Sequence, residues 1–331
     1  MLKKNLLLIG CGNHGERLLR LLEKKRINIL VLEKDNKKIL NLKRKYPQIN
    51  LFQDKSQLLR EYKGKIDFSV VSNWAIDHYS YILFSSELGC KKVFVEKPLV
   101  ASINEINKLK KLFSKNFIIV PSQYTHFLDT KKKLKNMEKK YKLKNLNYIS
   151  CTGGAKGFVN NGIHNLDIAI QAFGTIPTRG TGHIKPDRIN PRNNSLDYFE
   201  GSIVYEFPKD KIFHLSFKNT SMLDSSYQFQ WDYGRLIVRS DNSFFIEHIK
   251  DVTKRALPKT RTTVGNFIEG ENFFGEYLEA LSLNLDYFLS DAISYQDYKE
   301  FFFSKLDTLS ILYYSMSEAS KYKKNTRWKV S

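Results

Sequence analysis

Cysteine is scarce in this sequence, with three residues in 331. They stand far apart and form no C-x-x-C pair, so neither a zinc motif nor a disulfide framework is indicated; they are Cys11, Cys90 and Cys151. We therefore expect no metal site and a reducing, cytoplasmic location.

Long apolar runs are missing too. No stretch approaches the roughly 18 apolar residues of a membrane span, and the run Leu6–Ile9 is shorter than the roughly 7–15 residues of a secretory signal. We expect no membrane partner.

Acidic residues are also few, at 34 against 54 lysines and arginines, which gives a net charge of +20. A field of this sign attracts polyanions. The lysines, however, are spread along the chain. The densest run, at 131–141, places Leu134, Met137 and Tyr141 on one stripe, which is typical of a solvated amphipathic helix. We therefore expect no nucleic-acid partner.

Apolar and aromatic residues are abundant, at 42% and 13% of a 331-residue chain, which favours a globular protein with two domains. Up to residue 122, short apolar strands alternate with helical patterns, which indicates a doubly wound parallel sheet. Beyond it, two-fold alternation such as Phe213, Leu215 and Phe217 predicts half-buried strands of a large open, mostly antiparallel sheet. The expected fold is α/β, with domains at 1–122 and 123–331 and the terminal helices packing back on the first domain.

The individual elements follow from the same periodicities. The predicted strands of the first domain are 6–9, 27–32, 50–52, 68–72, 93–95 and 117–120, and those of the second are 146–151, 203–207, 227–231, 235–239 and 243–249. Predicted helices cover 76–88, 103–114 and 162–173, and two amphipathic helices end the chain. The segment Lys185–Ser195, with its prolines and asparagines, predicts a long loop.

A glycine-rich segment follows the first strand and precedes a helix; it reads Gly10-Cys11-Gly12-Asn13-His14-Gly15. In the G-x-G-x-x-G pattern the glycines permit the tight turn, the close approach of a pyrophosphate and the helix–strand packing. Glu33 ends the second strand about 20 residues later, where an acid binds the adenosine ribose. The segment therefore predicts a Rossmann dinucleotide site. Glu33 favours NAD, and Lys34 beside it leaves NADP open; Cys11 is interpreted as packing.

Lys97 follows the fifth strand, in the sequence Glu96-Lys97-Pro98. The carboxyl ends of parallel strands border the crevice where ligands bind. A lysine there can give a proton to a carbonyl or accept one from a hydroxyl if burial lowers its pKa. The position alone is equally typical of a surface lysine, so the interpretation depends on the other motifs.

Together the motifs resemble the glucose-fructose oxidoreductase / inositol dehydrogenase / rhizopine-catabolism (Gfo/Idh/MocA) family. The glycine loop, Glu33, the segments 72–78 and 96–99, and the G-x-H-x-x-D motif of Gly162–Asp167 occur in the family's order. The resemblance implies an NAD(P)-dependent oxidoreductase with Lys97 and His164 as catalytic residues. It adds Ser72, Asn73, Trp74, His78 and Glu96 to the cofactor residues.

The resemblance also implies substrate-binding residues. His164 and Asp167 lie three apart on one predicted helix, so both side chains can face one cleft. Tyr124 and His126 follow the sixth strand, where family members carry arginine or aromatic residues. Asn160 stands where many sugar dehydrogenases of the family have aspartate; asparagine there resembles members that act on nucleotide-linked sugars in surface polysaccharide pathways.

The leading hypothesis is hydride transfer between nicotinamide and a carbinol or keto carbon of a sugar or nucleotide-linked sugar. One alternative keeps the fold and changes the substrate to a non-sugar imine or carbonyl. Another is a non-catalytic dinucleotide-binding regulator, against which the intact Lys97 and His164 argue. A homodimer or homotetramer is expected, since the second sheet has a face without predicted helices.

Overall fold

The computed structural model describes residues 4–154, 156–187, 198–256, 263–320 and 326–328. The chain separates into two compact units. Unit 1 comprises Met1–Gln123, Leu281–Asp307 and Arg327–Ser331, and unit 2 comprises Tyr124–Ala280 and Thr308–Thr326. The units are thus discontinuous in sequence, unlike the continuous ranges 1–122 and 123–331. The apolar pattern of the terminal helices does not reveal at which residue they pass from one unit to the other.

Unit 1 contains a doubly wound parallel sheet, as expected from the sequence. Its described strands have the order β3-β2-β1-β4-β5-β6, and every neighbouring pair is parallel. The strands are β1 (Lys4–Ile9), β2 (Ile27–Leu32), β3 (Asn50–Phe52), β4 (Phe68–Val71), β5 (Lys92–Val95) and β6 (Ile118–Pro121). The helices between them are α1 (Asn13–Leu22), α2 (Asn36–Lys45), α3 (Lys55–Tyr62), α4 (Ala75–Glu87) and α5 (Ile103–Leu112). The strand order reverses between β1 and β4, where such sheets bind ligands.

The continuous apolar runs of this sheet have a simple cause. Residues Leu6, Leu7 and Leu8 of β1 are all fully buried. Strands with both faces covered lose the polar–apolar alternation that a half-exposed strand shows. Helix α1 buries Leu18, Leu19 and Leu22 on one face, so its 3.6-residue period is visible in the sequence. Helices α2 and α3, which the sequence did not predict, bury few side chains and are rich in charged residues.

Unit 2 contains an eight-stranded sheet with the order β14-β13-β12-β11-β7-β10-β9-β8 among the described residues. Only the pair β7–β10 is parallel, which confirms the mostly antiparallel sheet. The strands are β7 (Leu146–Gly153), β8 (Arg179–Asp187), β9 (Tyr198–Phe207), β10 (Lys211–Phe217), β11 (Ser226–Trp231), β12 (Gly234–Val238), β13 (Phe244–His248) and β14 (Asn266–Gly270). Its helices are α6 (Thr130–Tyr141), α7 (Ile163–Phe173) and α8 (Val252–Arg255); α9 (Tyr277–Leu289) and α10 (Tyr295–Ser320) have residues in both units.

The two faces of this sheet differ. Phe213, Leu215 and Phe217 on β10 are buried, and α7 packs on their side of the sheet. The alternate residues of the same strand, Ile212 and His214, are more exposed. The two-fold alternation read from the sequence is therefore the difference between a covered face and an open one.

The segment Lys185–Ser195 is only partly described. Residues 185–187 belong to β8 and not to a loop, and 188–195 lie outside the described residues. In the sequence, Pro186 indicates a loop rather than a strand, because proline cannot donate a ladder hydrogen bond. It is accommodated because β8 is the terminal strand of its sheet, and edge strands tolerate proline. Separately, no helix in the described part of the chain is long and apolar enough to cross a membrane.

Candidate active site

Two glycines of the G-x-G-x-x-G segment, one in the loop after β1 and one in the first turn of α1, are required by packing. Gly10 has φ +81°, and a Cβ there would lie 2.9 Å from the backbone nitrogen of Asn73. A Cβ on Gly15 would lie 2.3 Å from the carbonyl oxygen of Gly10 and 2.7 Å from Ser72 Oγ. Positive φ and distances under 3 Å exclude other residues. These glycines close the start of α1 against β1 and the end of β4.

Gly12 differs from them, because no described residue fills the space beside it. Its φ of −72° suits any residue, and the nearest atom to an added Cβ is Lys38 Nζ at 3.9 Å. Helix α1 begins next to it at Asn13 without a side-chain cap. Free N–H groups at a helix N-terminus favour an anion. The open space and the uncapped helix fit the pyrophosphate of a dinucleotide, which Gly12 would let approach the backbone.

Glu33 lies directly behind this loop. One carboxylate oxygen accepts a hydrogen bond from the backbone N–H of Cys11 at 2.8 Å, and the other accepts from the N–H groups of Lys34 and Asp35 at 2.9 and 3.0 Å. The side chain is buried. These bonds fix the carboxylate at the end of β2, where the ribose of a dinucleotide is expected.

Two residues next to Glu33 are Cys11, which donates a backbone hydrogen bond to its carboxylate, and Lys34, which follows it in the chain. Burial, and then the charge of Glu33, raises the pKa of the Cys11 thiol to about 12, so it stays protonated and supports the interpretation as packing. The ammonium of Lys34 lies 5.7 Å from the centre of the Tyr81 ring. A hydrogen bond with the Tyr81 hydroxyl raises the pKa of Lys34. Lys34 is therefore a fixed cation beside the ribose position.

The segment after β4 forms the second wall of the crevice. Ser72 Oγ donates to the carbonyl oxygen of Gly10 at 2.5 Å, which joins the ends of β4 and β1. The side-chain amide of Asn73 is buried and has no hydrogen-bond partner within the described protein. A buried amide in this state fits a group that accepts and donates bonds from a bound ligand. Trp74 is 38% exposed and precedes α4.

His78, one of the predicted cofactor residues, has a different environment. Its ring is 1% exposed, and both ring nitrogens face backbone carbonyl oxygens. Nδ1 lies 2.9 Å from the oxygen of Pro98, and Nε2 lies 3.0 Å from the oxygen of Asn73. Direct contact of this ring with a cofactor stays a prediction. The observed contacts are with the two loops that carry other site residues.

Glu96 connects the glycine loop with the segment that contains Lys97. Its Oε1 lies 2.8 Å from Nε2 of His14 and accepts a hydrogen bond from Ser122 Oγ at 2.5 Å. Its Oε2 accepts from the backbone N–H of Lys97 at 3.3 Å. Burial raises the pKa of this carboxyl, but His14, Ser122 and Lys97 together outweigh burial and hold the pKa at about 2. An ionised carboxylate thus fixes the backbone of the half-buried Lys97 beside the cofactor loop.

In unit 2, His164 lies at the start of α7 and lines a cavity of about 270 Å³. The imidazole is 4% exposed. Its centre is 4.6 Å from that of the Tyr124 ring, and Tyr124 in turn meets Tyr277 edge-on at 4.7 Å. Burial raises the pKa of the Tyr124 hydroxyl, which therefore stays protonated. The structure thus brings together His164 and Tyr124, two of the residues expected at the substrate.

The other predicted substrate residues lie outside that cavity's lining. Asp167 is 1% exposed, and its Oδ2 accepts from Thr125 Oγ1 and Gln171 Nε2, both at 2.7 Å. Asn160 is buried in the π-helical turn Phe158–Gly162. His126 is exposed and lines a separate depression with lysines of α6. A substrate contact for these three stays a prediction.

The cavity also contains residues that the sequence did not single out. They are mostly polar and include Asn161, Asn165, Asp224, Tyr227 and Arg239. The hydroxyl of Tyr227 donates to Oδ1 of Asn165. Asn165 lies inside the G-x-H-x-x-D motif and Asn161 directly before it, so their positions were a signal. Tyr227 on β11 and Arg239 just after β12 are distant in sequence and gave none. No three His, Cys, Asp or Glu side chains gather as metal ligands in the part of the chain that is described.

The comparison with protein families concerns the first unit. Residues 4–124 match the Gfo/Idh/MocA model, which is described as an oxidoreductase family with an NAD-binding Rossmann fold. Over this segment the chain is similar to the Gfo/Idh/MocA family. The match confirms the resemblance for the Rossmann domain, together with NAD as its cofactor. No curated protein matches the chain in sequence.

Solved structures with a similar fold cover almost the whole chain. The myo-inositol 2-dehydrogenase of Lactobacillus plantarum superposes with a TM-score of 0.69 at 16% identity, covering 96% of this chain and 97% of that one. UDP-N-acetylglucosamine 3-dehydrogenase of Acidithiobacillus ferrooxidans gives 0.67 at 10% identity, with 97% and 99% covered. Biliverdin reductase of Synechocystis sp. PCC 6803 gives 0.69 at 13% identity, with 96% and 99% covered. At these identities the likeness concerns the fold.

Proposed function

We propose that this protein is an NAD-dependent oxidoreductase that interconverts a carbinol and a keto carbon on a sugar or a nucleotide-linked sugar. The observation that carries the proposal is the Glu96 carboxylate. It lies against His14 of the glycine loop and holds the backbone of Lys97. A proton-transferring amine is thereby fixed to the same framework as the cofactor loop. Nicotinamide, when bound, supplies the hydride acceptor or donor.

Side chains of the protein would transfer the proton to and from the substrate oxygen. Lys97 accepts it from the substrate hydroxyl during oxidation and returns it to the carbonyl during reduction. His164 would be the second residue that transfers the proton, as the family resemblance implies. Asparagine at position 160 cannot act as a base, so these two residues carry the transfer. Regulatory binding without catalysis would need neither of them.

The cavity beside His164 favours a hydroxylated substrate over an apolar one. Its lining includes the amides of Asn161 and Asn165 and the carboxylate of Asp224. Such groups exchange hydrogen bonds with sugar hydroxyls, whereas a large apolar substrate would leave them unpaired at a cost. The lining also includes two cations, of which Lys156 forms an ion pair with Asp224 at 2.7 Å. The second cation, Arg239, favours an anionic group on the sugar, as a nucleotide-linked substrate would carry.

Mass spectrometry of ligands released from the native protein would test the cofactor and the substrate class directly. Turnover should then be measured with any sugar identified and with two probes, myo-inositol and UDP-N-acetylglucosamine, the substrates named for two proteins of the same fold. We expect NADH to form with at least one of these substrates. A protein that binds no dinucleotide would contradict the proposal.

Lys97→Ala is the decisive variant. We expect turnover to fall about 10²–10⁴-fold, the usual loss when a general acid–base group is removed. NADH affinity should change little, because the pyrophosphate position lies at the other end of the Glu96 network. Lys91→Ala is the matched control, since Lys91 is an exposed lysine just before β5. Turnover by Lys97→Ala at the wild-type rate would refute the role of Lys97.

A further inference from the structure

His78 lies on α4 and contacts two separate loops of unit 1. Its Nε2 is 3.0 Å from the carbonyl oxygen of Asn73, and its Nδ1 is 2.9 Å from that of Pro98. The ring is 1% exposed, so water does not compete for these positions. Both neighbours are acceptors, and each nitrogen must donate a proton to form a hydrogen bond.

A neutral imidazole has one N–H and one unprotonated nitrogen. Burial lowers the pKa of His78, and this effect exceeds the opposing contribution of the surrounding carbonyls and Glu96. The neutral ring is therefore favoured near pH 7. It donates to one carbonyl at a time, so the tautomer decides which loop receives the hydrogen bond.

The two loops are the walls of the candidate cofactor site. The backbone of Asn73 lies against Gly10, since a Cβ on Gly10 would come within 2.9 Å of the Asn73 nitrogen. Pro98 directly follows Lys97 in the chain. A side chain that contacts both carbonyls therefore connects the cofactor wall to the proton-transfer residue without touching either reacting group.

We propose that His78 is a positioning residue that holds the Asn73 wall through Nε2 in one tautomer and the Lys97–Pro98 segment through Nδ1 in the other. The role rests on the proposed function, since it gives these loops a cofactor and a reactive lysine to position. It differs from direct cofactor contact, because the ring is enclosed between the two carbonyls.

Two substitutions imitate one tautomer each. In His78→Asn the amide nitrogen stands near the position of Nδ1, so the bond to Pro98 is kept and the bond to Asn73 is lost. In His78→Gln it stands near Nε2, so the bond to Asn73 is kept and the bond to Pro98 is lost. Each variant is the control for the other, since both place an amide in the same buried site.

Two measurements that need no substrate separate the loops. The dissociation constant of NADH is obtained from its fluorescence, and the accessibility of the Lys97 amine from its rate of acetylation by acetic anhydride, followed by mass spectrometry with Lys91 as the internal reference. One hydrogen bond is worth about 2–10-fold in an equilibrium constant. We expect His78→Asn to weaken NADH binding by about this factor with Lys97 acetylation unchanged. His78→Gln should change Lys97 acetylation by about this factor with NADH binding unchanged.

Every other pattern counts against the inference. If each variant changes both NADH binding and Lys97 acetylation, His78 does not position the two loops separately. The same conclusion follows if neither variant changes NADH binding or Lys97 acetylation. If neither variant folds by circular dichroism, its role is in folding and the proposal is overturned. Wild-type protein that fails to bind NADH would instead refute the proposed function, so the two failures are distinguishable.

Discussion

The Glu96 carboxylate is nearly enclosed by protein and remains ionised. Burial alone disfavours its charge, but His14, Ser122 and Lys97 surround it and bring its pKa to about 2, compared with 4.5 for a free side chain. A folded-state pKa below the unfolded one means that ionisation stabilises the fold. That stabilisation is present above about pH 4.5 and is lost as the pH falls toward 2.

His14→Ala should lower the stability at neutral pH and make this acid-induced loss smaller. Without the imidazole 2.8 Å away, the carboxylate of Glu96 loses the neighbour that lowers its pKa most, so its pKa rises toward that of the unfolded chain. We expect the free energy of unfolding of the variant to be lower than that of the wild type at pH 7 and to fall less between pH 7 and pH 4, because unfolding then takes up fewer protons. Urea unfolding at several pH values measures it. His126→Ala, at an exposed histidine, should keep the wild-type profile; an unchanged profile for His14→Ala would contradict the assignment.

Glu33 leads to a prediction about cofactor choice. Its carboxylate is held by three backbone N–H groups at the end of β2, where it would accept the ribose hydroxyls and repel a 2′-phosphate. We expect NADH to bind more tightly than NADPH. The Glu33→Ala variant should show a smaller difference between the affinities for the two cofactors. Fluorescence titration of both cofactors measures it. Equal or inverted affinities in the wild type would show that Lys34 or a neighbouring cation governs the pocket.

Single residues differ in how far the sequence predicts them. The glycine loop, Glu33 and Lys97 are recognisable because their function depends on local spacing after a strand. The contact of His14 with Glu96 depends on two loops 82 positions apart in sequence being brought together by the parallel sheet. The cavity residues Tyr227 and Arg239 likewise lie in or just after strands distant from His164. Contacts that arise only from the tertiary fold leave no local pattern.

Gly15 and Gly12, at the start of α1, have different roles: Gly15 is needed for packing, and Gly12 leaves space for the cofactor. A matched pair of alanine variants tests this difference. Gly15→Ala should lower both stability and NADH affinity, because its Cβ would lie 2.3 Å from the Gly10 oxygen and α1 must shift. Gly12→Ala should leave the free energy of unfolding nearly unchanged, since its nearest neighbour is 3.9 Å away, but should weaken NADH binding. Thermal unfolding and fluorescence titration distinguish the two. If Gly12→Ala binds NADH normally, the pyrophosphate does not lie against that glycine.

Whole elements were predictable where burial imposes a period. The strands of unit 1 and the alternating β10 were predicted close to their observed positions. Strand β8 was missed because an edge strand that contains Pro186 has neither the composition nor the full ladder of a central strand. Helix α2 was missed because it buries only Ile39 and Leu42, too few apolar residues to define a helical stripe.

At the scale of the whole molecule, the main feature is a face of the eight-stranded sheet that the described residues leave uncovered. Ile212 on β10 is 37% exposed and Phe267 on β14 is 59% exposed, and both point to the side opposite Leu215. An open apolar sheet face is usually covered by a symmetric partner. The sequence alone indicated this face through its alternation, and the sheet order places its exposed residues on one surface.

We therefore predict a homodimer or homotetramer assembled through this face. Ile212→Glu should reduce the mass measured by light scattering toward the 38.7 kDa of one chain, because a buried carboxylate without a partner is costly at an interface. Leu40→Glu is the matched control: Leu40 is 63% exposed on α2 of the other unit, so its replacement should leave the assembly intact. A wild-type mass near 38.7 kDa at micromolar concentration would rule the assembly out. An Ile212→Glu protein that keeps the wild-type oligomeric mass would show that the subunits meet through another surface.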